Sequence, residues 1–107
     1  MRIFKYELKR SGECKIRMPV DSRIMDIQAQ DGKPVIWVAC DPQSNMQDRS
    51  FMGILTGDNV FEGDLGSYLG TVQFQGGAFV QEGVFVVHYF DKGIEDDEDT
   101  GTKPATR

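Results

Sequence analysis

An Asp31-Gly32 pair set between two extended runs constrains this chain more than any other feature. A two-residue hairpin turn of the primed type needs positive φ at both central positions, and Asp followed by Gly tolerates that. Residues 24–30 and 35–40 therefore read as two antiparallel strands joined by this turn. The second run, Val35-Ile36-Trp37-Val38-Ala39-Cys40, is apolar at every position. That pattern predicts a central strand covered on both faces, one of them open to coverage by a second subunit.

The same period-two logic extends along the chain. Phe4, Tyr6 and Leu8 alternate with Lys5, Glu7 and Lys9. Ser11-Gly12 interrupts, and Cys14, Ile16 and Met18 then alternate with Lys15 and Arg17 up to Pro19. Alternation of this kind marks half-buried strands, so residues 1–19 read as an antiparallel hairpin with a basic outer face. Residues 46–49 read as one irregular turn after a loop at 41–45. Further strands are expected over 51–56, 68–74 and 84–90, with a long loop at 57–66 and a Gly-Gly turn near 76. No stretch of ten residues carries a helical period. The expectation is an all-β fold: a small antiparallel sandwich or partly open barrel of about seven strands.

With 107 residues, there is enough chain for one domain. Residues 1–91 are assigned to that β domain. Residues 92–107 contain Glu95-Asp96-Asp97-Glu98-Asp99 and too little apolar surface to bury, which predicts a disordered acidic tail. Charge is uneven. Residues 1–20 carry six basic and two acidic side chains, whereas residues 21–90 carry three and nine. A net charge of −5 argues against generic nucleic-acid binding, which needs clustered Lys and Arg. No basic start leads into an apolar run, and no window approaches the length of a membrane span. Cys14 and Cys40 lie in no CxxC and beside no His, so they read as buried thiols of a reducing cytoplasm.

Catalytic chemistry finds little support. His88 is the single histidine, which leaves few arrangements for a nucleophile, a base and an orienting acid. Asp58, Glu62 and Asp64 cluster in one loop without the EF-hand spacing, and Asp, Asn and Gly are ordinary turn residues. Gly76-Gly77 lacks the Lys-Ser/Thr of a phosphate loop. The expectation is no catalytic residue, no metal and no cofactor. Aromatic side chains are the better candidates, because they bury area at interfaces for little entropy. Trp37, Tyr68, Tyr89 and His88, with Arg49, are the candidate binding residues. An aromatic-plus-arginine pocket for a nucleotide-like anion is one arrangement they suggest.

The segments Gln30-Asp31-Gly32-Lys33-Pro34-Val35-Ile36-Trp37, Leu55-Thr56-Gly57, Tyr68-Leu69-Gly70-Thr71 and Val87-His88-Tyr89-Phe90 together form a pattern. It resembles a family of small tailed-phage proteins of unknown function, over roughly residues 3–90. The resemblance implies a phage product in the host bacterial cytoplasm and carries over no catalytic residue. Three function classes stay open. The first is a non-enzymatic, homo-oligomeric accessory protein that inhibits a host defence factor or sequesters a small anionic ligand. The others are a virion or tail structural module, and a small nucleotide- or cell-wall-directed enzyme.

Overall fold

A computed structural model describes residues 1–61, 63, 65–75 and 84–94. Seven strands run β1 (Arg2–Glu7), β2 (Gly12–Pro19), β3 (Arg23–Gln30), β4 (Lys33–Cys40), β5 (Met46–Leu55), β6 (Ser67–Gln75) and β7 (Val84–Ile94). They form two antiparallel sheets, one ordered β1-β4-β3 and the other β2-β5-β7-β6. The sheets stack as a sandwich and do not close into a barrel. Between them lie Leu8, Met18, Ile27, Ile36, Val38, Phe51, Val72, Phe74, Val87 and Tyr89, all buried. The inward alternation seen in the sequence supplies these residues, and their burial drives the stacking.

The Asp-Gly turn forms as its chemistry requires. Asp31 and Gly32 have φ of 54° and 77°, and Gln30 pairs with Lys33. Strand β4 lies in the middle of its sheet. Ile36 and Val38 enter the core. On the outer side Val35 and Ala39 are each only 4% exposed. Glu7 and Gln28 flank Val35, and Lys5 donates to Gln30 at 2.7 Å across the same region. Flanking side chains of the same chain therefore cover much of the face that the sequence left open to a second subunit.

The expected hairpin over residues 1–19 is corrected. β1 pairs with β4 and β2 pairs with β5, so the two strands belong to different sheets. Phe4 and Tyr6 on one side, and Cys14, Ile16 and Met18 on the other, point inward in either arrangement. Alternation alone does not choose between side-by-side and face-to-face strands. The crossing is held by specific bonds. Leu8 is buried, and its N–H donates to the Pro34 carbonyl at 2.9 Å. Arg10 donates to the Gly32 carbonyl from Nε and Nη2 at 3.1 and 2.9 Å.

Residues 46–49 are also corrected, from irregular turn to the start of β5. They pair with residues 16–19 of β2. Their polarity concealed the strand: Asp48 bonds Arg17 at 3.2 Å, and Arg49 bonds Asp91. Strand β7 continues through Ile94, past the boundary expected at residue 91, because Ser50 and Arg49 still pair with Gly93 and Ile94. The tail expected to be disordered lies, from residue 95 onward, outside the described residues. Cys14 and Cys40 are free thiols, with Cys40 buried and Cys14 partly so. Among the described residues, no helix is long and apolar enough to cross a membrane.

Candidate functional site

Register decides which sequence-level candidates meet. On the outer face of the four-stranded sheet, Thr71 of β6 and Ile54 of β5 both lie opposite His88 of β7. His88 Nδ1 sits 2.9 Å from Thr71 Oγ1, and Nε2 sits 2.8 Å from Thr56 Oγ1. Tyr68 Oη and Thr71 Oγ1 are 2.5 Å apart. Two proton orders satisfy the whole row: one runs from the Tyr68 hydroxyl through Thr71 and the imidazole to Thr56, and the other is its reverse, with the ring proton on Nδ1. Both ring nitrogens are thus occupied by hydroxyls, and no carboxylate orients the ring. Among the described residues this is an anchored polar row on a sheet face, with no nucleophile–base–acid geometry around His88.

Apolar groups frame the row. The ring of Tyr68 meets Phe90 edge-on, with centroids 5.6 Å apart. Met52 is in register with Phe90. Beside Met52 and Ile54 lies a groove of about 410 Å³, walled by Asp58, Val60, Phe61 and Leu65. Phe61 is 79% exposed and Tyr68 60% exposed. Apolar groups gathered beside a groove, rather than scattered singly, are the kind of exposed surface that marks a contact site. At the β2 flank the face turns charged, with Lys92 3.5 Å from Glu13 and Arg17 3.2 Å from Asp48.

The other candidates are elsewhere. Trp37 is on the outer face of the three-stranded sheet, in register with Lys5 and Asp26, on the opposite side of the sandwich from Tyr68 and His88. Tyr89 is 1% exposed, and its hydroxyl donates toward the Lys9 and Arg10 carbonyls at 3.1 and 2.8 Å. Burial holds its phenol well above the ordinary tyrosine range, with Cys14 adding to the rise and Arg10 opposing it. Arg49 points between the sheets. Its Nε and Nη2 donate to Asp91 at 3.2 and 2.5 Å, and Nη1 donates to the Ser22 carbonyl at 2.6 Å. All its nitrogens are engaged, so Arg49 ties the sheets together and is not offered to a ligand. The aromatic-plus-arginine pocket therefore does not assemble from these five residues.

Glu62 and Asp64 lie outside the described residues. Among the described residues, no three His, Cys, Asp or Glu side chains come together as metal ligands would. Thr56, Thr71 and Phe61 were not singled out from the sequence as site residues. Thr71 was legible as a β6 neighbour of Tyr68, but its meeting with His88 depends on a register that sequence does not give. No curated protein and no solved structure was found to match this chain. A family profile does match, over residues 1–98, and the chain belongs to that family, described as a domain of unknown function (DUF7352).

Proposed function

We propose that this chain is a non-enzymatic binding protein that captures a protein partner on the outer face of its four-stranded sheet. The resemblance to small tailed-phage proteins supplies the setting. The partner is a host factor of the bacterial cytoplasm, such as a defence protein, and binding inhibits it. The observation that carries this reading is the pairing of exposed aromatics with a satisfied polar row. Tyr68 and Phe90 pack edge-on beside the Tyr68–Thr71–His88–Thr56 chain, with Phe61 overhanging the groove. Rigid aromatics with an anchored polar tip lose little entropy on binding and resemble interface hot spots.

A protein partner is favoured over a small anion because Arg49, the cation expected to hold an anion, is committed to Asp91 and Ser22.

Affinity capture from host lysate tests the reading with matched baits. The wild-type chain and a Trp37→Ala bait are expected to retain the same partner. A Tyr68→Ala/Phe61→Ala bait is expected to lose it. Equal capture by all three, or loss with Trp37→Ala alone, contradicts the assignment of the face. Abundant copies in purified virions, with no host partner, would point to a structural module instead.

A further inference from the structure

The four outer strands of the sandwich are not equally protected. A strand at a sheet edge presents unpaired N–H and C=O groups, and folded proteins guard such edges with charges, prolines or bulges. Strand β1 carries Arg2, Lys5 and Glu7, and β2 carries Glu13, Lys15 and Arg17 and ends at Pro19. Strand β3 carries Arg23 and Asp26, with a register shift between Ile24 and Asp26. Strand β6 reads Ser-Tyr-Leu-Gly-Thr-Val-Gln-Phe-Gln, nine residues with no charge and no proline. It pairs with β7 on one side, and among the described residues no strand hydrogen-bonds its other edge; β3 of the other sheet packs against its inner face, with Ile27 close to Gly70. Its one irregularity lies between Tyr68 and Gly70, which leaves residues 70–75 in regular register.

We propose that β6 pairs antiparallel with β6 of a second copy of this chain, about a twofold axis near Val72, giving one continuous eight-stranded sheet. A second copy is the occupant that fits because the edge is self-complementary. A twofold pairs a strand with itself antiparallel, and an uncharged strand meets no like-charge clash in doing so. The twofold also preserves the faces. With the axis at Val72, Thr71 of each copy stands opposite Gln73 of the other, outward residue against outward residue. Val72 and Phe74 stay inward, in line with their burial at 5% and 2% exposure. The two Tyr68–His88 rows then lie on one side of the joined sheet, and two binding faces become one bivalent surface. The pairing stands whether or not those faces bind a partner, since the test reads self-association alone.

Analytical ultracentrifugation of the full chain, run from low micromolar to sub-millimolar concentration, tests it beside a Gln73→Lys/Gln75→Lys variant. Both positions are exposed, so the lysines guard the edge and leave the core untouched. The wild type is expected to dimerise, and the variant to dissociate at least about tenfold more readily with unchanged circular dichroism. Amide exchange should show protection over residues 70–75 that disappears on dilution. A wild-type monomer at every concentration overturns the proposal. So does a dimer of equal strength in the variant. If the variant fails to fold, wild-type exchange decides: residues 70–75 unprotected where the chain is dimeric also overturns it.

Discussion

Arg49 and Asp91, on neighbouring strands β5 and β7, meet through two parallel contacts of 3.2 and 2.5 Å, with side chains only 17% and 11% exposed. Asp91 Oδ1 also accepts from the Gly93 N–H at 2.8 Å, where β7 is continuing toward Ile94. Arg49 Nη1 reaches the Ser22 carbonyl, which leads into β3 of the other sheet. One guanidinium thus ties together two strands of one sheet and the entry to the other.

Removing one member of a largely buried ion pair leaves the other charge uncompensated. Arg49→Met is expected to lower unfolding free energy by about 3 kcal/mol, read from urea midpoints. Asp91→Asn should cost somewhat less, because its amide still accepts from Gly93. The double variant should fall short of the sum of the two, as residues sharing a contact do.

Gly66 and Gly57 separate conformation from space. Both have positive φ, 79° and 98°. A Cβ on Gly66 would stand 2.3 Å from the Asp91 carbonyl oxygen, whereas one on Gly57 meets nothing within 4 Å. Gly57→Ala should cost about 1 kcal/mol, from backbone strain alone. Gly66→Ala should cost about 3 kcal/mol, because a backbone carbonyl of β7 must move as well. Thermal denaturation of the two variants side by side checks the difference.

Tyr89 gives the fold an alkaline limit. Burial raises its folded pKa above the unfolded value of 10.0, so the native state keeps this proton after the unfolded chain has lost it. Tyr6 shifts the same way, again chiefly through burial. The stabilisation is fully present below the unfolded value and is lost as pH rises above it. Melting temperature should therefore decline above about pH 10, with a shallower decline in Tyr89→Phe. At neutral pH that variant should be about 1–2 kcal/mol less stable, because the Lys9 and Arg10 carbonyls lose their donor.

His88→Ala separates binding from folding. The imidazole anchors hydroxyls on an outer face and is not part of the buried core. Stability should change by no more than about 0.5 kcal/mol by differential scanning calorimetry, as for surface substitutions in general. Partner capture should weaken by about tenfold or more, since the row that fixes Thr71 and Tyr68 is lost.

Local signals in the sequence were legible because their physics is local. Asp31-Gly32 specifies its turn through two positive φ values, and alternation marks which residues of β1, β2 and β7 face inward. What pairs with what was not legible. Ser11-Gly12 reads as a hairpin turn, yet the segment crosses between sheets, held by Leu8, Arg10 and the Tyr89 hydroxyl from 79 and 80 residues away. Arg49 and Asp91 are 42 residues apart, so nothing local marked Arg49 as already paired. Of the five candidate residues, Tyr68 and His88 converge, and they do so through Thr71, which only strand register could reveal.

Native mass spectrometry of the tagged chain, purified gently from host cells beside the Tyr68→Ala/Phe61→Ala variant, tests the binding account most directly. The account predicts a wild-type chain that carries extra protein mass, and a folded variant that has lost it. A wild-type chain with no bound partner, or a variant that keeps the same added mass, contradicts it.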